Sequence, residues 1–342
     1  MPSLPEAVTV RAAAKVNLEL LVGPRDASGY HALATVFQAV NLYDDVTVRR
    51  ARRCSLTVAG RDAEHVPTDE SNLAWRAVIA VGEGHPEAGP VAISIAKDIP
   101  VAGGMAGGSA DGAAALVAAD ALWGVGLSRT ELHRLAAGLG ADVPFSVLGG
   151  TAIGTGRGDE LAPAMARGSY HWVFAFSDEG LSTPRVFAEL DRLRAERGED
   201  VAVPASGSAP SAPSAPSDQQ DEPAGPASQT HRQPELEVST AMMTALLSGD
   251  AVAVGQAMHN DLQEAALSLQ PRLVDTLAIG QECGALGGIV SGSGPTCAFL
   301  AASHEHALDL AVALTASGVA SDVRRAQGPV PGARLIHPGK EQ

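Results

Sequence analysis

The stretch Ile99–Asp120, IPVAGGMAGGSADGAAALVAAD, has the residue types and spacing with the most direct chemical meaning in this chain. A strand-like run, Val91–Lys97, leads into Pro100. The glycine-rich segment Gly103-Gly104-Met105-Ala106-Gly107-Gly108-Ser109 comes next, then an alanine-rich helix ending near Trp123. A strand that opens through glycines into a helix start is suited to holding an anion. Glycine lets the backbone approach the ligand and take positive φ. The unpaired N–H groups and positive dipole end of the helix face the charge. The alternative is a glycine turn that merely caps a core helix. Against it, glycines cost about 1 kcal/mol each in a helix interior, so a cluster implies that backbone access is needed. A P-loop is excluded, because Gly108-Ser109-Ala110 lacks its lysine. A Rossmann fingerprint would open near the first strand and place an acid at the end of the second; Asp120 instead falls within the helix pattern.

Four other groups could do chemistry. Gly29-Tyr30-His31, delivered by the turn cluster Gly23–Gly29, can stack on a base and hydrogen-bond its edge; otherwise it is a half-buried tyrosine beside an exposed histidine. Lys15, Asn17 and Glu19 share one face of a period-2 run whose other face is Val16, Leu18 and Leu20. Lys15 is therefore either a solvated strand residue or a charge held at a site. Asp142 follows Gly140 and precedes Pro144; it either caps the next turn or stands free as an acid. A second glycine loop, Gly287–Thr296, is either a hairpin turn or a second wall of the site.

These groups must be positioned by 342 residues, enough for two modest cores. A net charge of −15 excludes nucleic acid and anionic membrane as general partners. Cys54, Cys283 and Cys297 are irregularly spaced and suggest neither a disulfide framework nor a zinc site. No run of 18 apolar residues and no leader pattern occur, which predicts a cytoplasmic protein. Strands are predicted at Val8–Ala14, Lys15–Leu21, Ala34–Leu42, Asp45–Arg49, Cys54–Ala59, Val91–Lys97, Tyr170–Phe176, Ala285–Val290, Cys297–Leu300 and Ala320–Arg324. Helices are predicted at Leu73–Val81, from the capping box Ser128–Glu131 to about Leu139, from Ser182-Thr183-Pro184, and at Ser239–Leu247, Ala251–Leu267, Pro271–Cys283 and His304–Ser317. Residues beyond Gly328 read as a tail. From about 197 to 234, Ser, Pro, Ala and Gln dominate; such a stretch cannot repay its ordering entropy and is expected to be a disordered insertion.

Three blocks together, AAAKVNLELLV, PVAGGMAGGSADGAAAL and GGIVSGSGPTCAFL, resemble the GHMP kinase superfamily. SGYHALATVFQAVNLYD, GADVPFSVLGG, GTGRGDEL and LSTPRVF are closest to the branch that phosphorylates 4-diphosphocytidyl-2-C-methyl-D-erythritol in isoprenoid biosynthesis. The resemblance covers nearly all of residues 8–325 outside the insertion. It implies an α+β fold of two domains: a ribosomal S5-like ATP-binding domain over 8–165, with a left-handed β-α-β unit, and a ferredoxin-like domain over 166–325. It implies a catalytic pair, Lys15 and Asp142. It implies that Pro100, Val101, Ala102, Gly103, Gly104, Met105, Ala106, Gly107, Gly108, Ser109 and Ala110 wrap the ATP phosphates, with Asn72 near the adenine. Tyr30 and Phe187 would sandwich the cytosine, with His31 on its edge, Asn17 near the erythritol end and Thr183 near the transferring group. Magnesium is expected with ATP, its ligands left open; no nucleic acid or membrane partner is expected. The sequence departs from the family's G-L-G-G-G-S-S form at Met105, Ala106 and Ala110. Ala106 needs a backbone angle that an L-residue can adopt, or it costs strain, and Ala110 removes one hydroxyl from the phosphate side. Kinases of homoserine or mevalonate have no base to stack on Tyr30. A non-catalytic sensor would need neither Lys15 nor Asp142.

Overall fold

The computed structural model describes residues 4–199 and 236–336. The chain begins with a long antiparallel hairpin, β1 (Ala7–Arg25) and β2 (His31–Arg50), paired from Ala7↔Arg49 to Arg25↔His31. Read from the sequence, each of these strands splits in two; both run on, with register shifts between Ala13 and Ala14, which pair with Tyr43 and Val40, and between Asn17 and Glu19, which pair with Phe37 and Val36. The inward alternation nevertheless carries through, since Val8, Val10, Ala12, Ala14, Val16 and Leu18 of β1 and Val36, Val40, Leu42, Val46 and Val48 of β2 all pack into one core. β3 (Ser55–Gly60), α1 (Leu73–Gly82) and β4 (Val91–Lys97) form a β-α-β unit with parallel strands, and β4 pairs antiparallel with β2. α2 (Gly107–Trp123) then runs under the sheet, followed by α3 (Arg129–Leu139), α4 (Val143–Leu148), β5 (Thr151–Thr155) and β6 (Glu160–Pro163). α2 is apolar on all sides and correspondingly buried, with Ala110, Ala114, Leu116 and Ala118 fully inaccessible. Its alanines let it lie close to β1 and β2. The capping box at Ser128 and Glu131 is present.

The second half is built on β7 (Tyr170–Phe176). α5 (Thr183–Arg197), α6 (Thr240–Ser248), α7 (Ala251–Ala257), β8 (His259–Asn260), α8 (Gln263–Leu269) and α9 (Arg272–Glu282) follow. β9 (Gly287–Val290), β10 (Cys297–Ala301), α10 (His304–Ser317), β11 (Asp322–Gly328) and β12 (Arg334–Ile336) complete the described chain. An antiparallel sheet in the order β11-β7-β10-β9 carries α9 and α10, the ferredoxin-like arrangement. Its core centres on Val173, Phe299, Leu310 and Leu314.

Two expectations are corrected here. The run Ala251–Leu267 is not one helix: it opens at Met258–Leu262, where His259–Asn260 pairs parallel with β1 and Asn260 bonds across to Val290 and Gly292. The residues past Gly328 are not a loose tail either, since β12 pairs antiparallel with β1 along Thr9–Arg11. The larger sheet thus takes strands from both halves of the chain. The expected insertion lies mostly outside the described residues.

Candidate active site

A cavity of about 720 Å³ opens where β1, the loop before α2, the start of α5 and the loop after β9 converge. Lys15 stands on β1 with only 5% of its surface exposed, so the solvated reading fails. Its Nζ donates to Asn17 Oδ1 at 2.7 Å, and Asn17 Nδ2 donates to Thr35 Oγ1 at 2.8 Å. Thr35 in turn donates to the Glu19 carbonyl at 2.6 Å, which fixes the whole polar face of β1. Burial pushes the Lys15 pKa below that of an ordinary lysine, and the Asp142 carboxylate pulls it back up. Asp142 occupies the N-cap position of α4 but its side chain makes no cap hydrogen bond. The carboxylate is therefore left on the cavity wall, and the capping alternative is excluded.

The glycine loop docks beside this pair. The Lys15 N–H donates to the Met105 carbonyl at 3.2 Å. α2 begins without a side-chain cap, so the N–H groups of its first turn are available to a ligand. A Cβ on Gly108 would meet only Leu73, at 3.9 Å, so the protein leaves that cradle open. Gly104 is different: at φ +74, a Cβ there would lie 2.2 Å from the Ser291 carbonyl oxygen. Ser291 Oγ also donates to the Gly104 carbonyl at 3.2 Å, so the two glycine loops interlock. Across the gap, a Cβ on Gly292 would lie 3.1 Å from Lys15 Nζ and 3.3 Å from Asn17 Oδ1. Asn260 holds that second loop, its amide donating to the Val290 and Gly292 carbonyls at 2.7 Å each. Thr183 Oγ1 and Ser293 Oγ, 2.9 Å apart, tie α5 to the same loop.

Behind the loop, and off the cavity, is a buried charged cluster. Lys97 Nζ donates to Asp44 at 2.5 Å and to Asp111 at 2.8 Å. Asp44 Oδ1 accepts from the Asp98 and Ile99 N–H groups at 2.7 and 3.0 Å. Asp111 Oδ1 has no hydrogen-bond partner among the described residues. Burial raises the Asp111 pKa well above the carboxylate range, against the pull of Lys97.

At the other end of the cavity stand the aromatic groups. Tyr30 is 56% exposed, whereas the His31 side chain is nearly covered, the reverse of the bland expectation. His31 Nδ1 is 2.9 Å from the Gly23 carbonyl oxygen, and its ring centroid lies 5.2 Å from that of Phe187. The Arg157 guanidinium lies over the Tyr30 ring, 4.9 Å from its centroid.

Most of the predicted residues therefore meet on one wall. Four do not. Asn72 spends its side chain capping α1, accepting from the Ala74 N–H at 2.8 Å and donating to the Pro67 carbonyl at 2.7 Å. Val101 is off the wall, and its N–H turns toward Asp62. The side chains of Met105 and Ala110 are fully buried in the core, so a hydroxyl at 110 would face packing rather than phosphate. Ala106 lines the cavity in the left-handed conformation that its replacement of glycine requires, at φ +60.

Residues 72–150 match the domain described as GHMP kinases N terminal domain, and residues 242–320 match GHMP kinases C terminal. A curated relative from Mycolicibacterium gilvum, named 4-diphosphocytidyl-2-C-methyl-D-erythritol kinase, is 52% identical over 96% of this chain and 92% of its own length. The chain belongs to the GHMP kinase family. A relative of the same name from Thermobifida fusca is 49% identical over 97% of this chain and 99% of its own. Among solved structures, a 4-(cytidine 5'-diphospho)-2C-methyl-D-erythritol kinase superposes with a TM-score of 0.68 at 28% identity, covering 93% of this chain and 98% of that one. The homoserine kinase of Cytophaga hutchinsonii superposes at 0.66 with 17% identity, covering 98% and 99%, and shares the fold. The two-domain α+β GHMP fold expected from the sequence is thus borne out.

Sequence reasoning missed one cavity residue of this GHMP kinase, Arg157, and the buried polar residues that support the two glycine loops from outside the cavity. Asp44, Lys97, Asp111 and Asn260 lie on runs that read as ordinary strand or helix. Only the improbability of burying charged or amide side chains marks them, and burial is not visible in one sequence. Arg157, between glycines in the β5–β6 turn, enters the sequence reading within the block GTGRGDEL and not as a cavity residue. Among the described residues, no helix is long and apolar enough to cross a membrane.

Proposed function

We propose that this chain transfers the γ-phosphoryl group of ATP to the 2-hydroxyl of 4-diphosphocytidyl-2-C-methyl-D-erythritol. The observation that carries the reading is the single cavity shared by the Lys15–Asp142 pair, the uncapped start of α2 and the Tyr30–His31–Phe187 cluster. One end suits a polyphosphate and the other a planar base, with an acid and a base between them. The acceptor hydroxyl is a poor nucleophile, and Asp142 is the group that would take or orient its proton. Lys15, kept cationic by Asp142, would stabilise charge building on the transferring oxygens. Asn17 would fix the direction of that ammonium, and Ser293 with Thr183 would close the substrate side. In this reading 8–165 forms the ATP-binding part and 166–325 the C-terminal part, with β8 and β12 joining the first sheet.

The cavity fits a magnesium ion that arrives on the nucleotide rather than one caged by the protein. Among the described residues no three carboxylate, histidine or cysteine groups cluster, and magnesium is commonly held by one or two protein oxygens, phosphates and water. Ser109 and Asp142 are the oxygen donors of the wall beside the glycine loop. When bound, the ion offsets phosphate charge.

The test is ATP-dependent phosphorylation of the cytidyl substrate beside homoserine and mevalonate, with Asp142→Asn as control. Product from the cytidyl substrate alone, lost in the variant, is expected. Turnover of either other alcohol would overturn the assignment of the aromatic end.

A further inference from the structure

We propose that Asp191 reads the exocyclic amine of a cytosine base and so excludes uracil, an inference that rests on the cytidyl substrate proposed above. Asp191 lies on α5 one turn beyond Phe187, so its carboxylate and the phenyl ring share a helix face. Both line the cavity. Its Oδ1 is buried and has no hydrogen-bond partner among the described residues. His31 Nε2 lies 3.2 Å from that oxygen but is not aligned to donate to it. Arg25 approaches the other oxygen, Oδ2, at 3.9 Å.

The direction of the histidine explains the unpaired oxygen. A backbone carbonyl can only accept, so the 2.9 Å contact with the Gly23 oxygen requires the proton on Nδ1. In the neutral ring Nε2 is then an acceptor as well. With the ring neutral, two acceptors, Nε2 and Asp191 Oδ1, face the same space beside Phe187. Such a pair lacks a donor, and leaving a buried acceptor unpaired is costly. An amine supplies two N–H groups at one atom. Cytosine carries an amine at position 4, and carboxylates accept from it. Uracil carries a carbonyl there, which would add a third set of lone pairs to two existing ones. The discrimination thus comes from repulsion of the wrong base as much as attraction of the right one.

The experiment is calorimetric titration of the full chain with CDP and with UDP, for the unaltered protein, Asp191→Ala and Asp191→Asn. CDP is expected to bind at least about 10-fold more tightly than UDP to the unaltered protein. Asp191→Ala is expected to weaken CDP and leave UDP unchanged or tighter. Asp191→Asn, whose amide can donate to the uracil carbonyl, is expected to tighten UDP; it also keeps the side-chain shape should the alanine variant fold poorly. Both variants would bring the CDP/UDP ratio toward one. Equal weakening of CDP and UDP would mean that Asp191 merely orients His31, and overturns the proposal. So does a preference unchanged in both variants, or no preference in the unaltered protein. Failure of the unaltered protein to bind CDP at all would instead overturn the cytidyl reading beneath it.

Discussion

Lys97→Met removes the one cation that, among the described residues, pairs with two buried carboxylates. Its partners are as buried as it is, with side-chain exposures of 1% for Lys97, 0% for Asp44 and 3% for Asp111. Losing one member of such a cluster leaves uncompensated buried charge and costs about 3–5 kcal/mol, a large part of the about 5–15 kcal/mol that stabilises an ordinary domain. The loss is moderated because Asp44 keeps its bonds to the Asp98 and Ile99 N–H groups. Asp111 has no such support, so it is the group that must neutralise. Its folded pKa already lies above the unfolded value, by burial first. Its contribution to stability is therefore full below the unfolded carboxylate pKa and is lost as pH rises through the raised folded value. Without Lys97 that value rises further, so the deficit of the variant should be larger at pH 8 than at pH 5. Urea titration followed by circular dichroism at both values measures it, provided that the transition of the unaltered protein is two-state. Lys97→Met/Asp111→Leu should recover much of the loss, because an apolar replacement of the pair carries no unpaired charge. A loss below about 1 kcal/mol at both pH values would refute the reasoning, as would a double variant no better than the single.

Three further outcomes follow from the same geometry. Gly292→Ala places a Cβ 3.1 Å from Lys15 Nζ; displacing that ammonium should lower kcat about 100-fold, and a kcat within a few-fold of the parent counts against the placement. Ala106→Gly relieves a left-handed alanine and should raise stability by about 0.5 kcal/mol after the unfolded-state entropy of glycine is subtracted; a lowered Tm would contradict it. Because burial depresses the Lys15 pKa below 10.5, the cation that the mechanism needs is lost as pH rises through a value under 10.5. The alkaline limb of kcat/KM should therefore fall below 10.5, and a midpoint at or above it would remove Lys15 from that role.

Much of the site was legible because its signals are local. The strand–glycine–helix order before Ser109 needs only neighbouring residues, and Val91–Lys97, Tyr170–Phe176 and His304–Ser317 have the bounds read from periodicity. What was misjudged depends on how the chain is assembled, often across long distances in sequence. Gly104 reads as a residue freed for phosphate, yet the Ser291 carbonyl, far along the chain, already forbids a side chain there. Ala110 reads as a lost hydroxyl, but the helix turns it into the core. Asn72 reads as a ligand residue, and its amide is consumed by the helix it starts. β1 and β2 read as four strands although one face of each runs unbroken into the core, and on the other face of β1 the polar Lys15, Asn17 and Glu19 are buried, which a sequence does not display. Asp191 could not be seen at all: an unpaired oxygen is a property of the assembled pocket, not of a motif.

The outer edge of β1 is closed by β12, by β8 and by the Met105 carbonyl. Translation delivers these partners at very different times. At about 5–20 residues per second, β8 and β12 follow β1 out of the ribosome by on the order of 10–60 s. During that interval the nascent hairpin offers an unpaired strand edge, the kind that joins other chains. Charged Arg11, Lys15 and Glu19 lie along it, and Lys15 would then protect the unfinished chain with the charge that we propose acts on phosphate. The expectation is that stalled ribosome–nascent chains ending before β8 bind trigger-type chaperones more strongly when Lys15 is replaced by methionine; equal binding would separate the two roles.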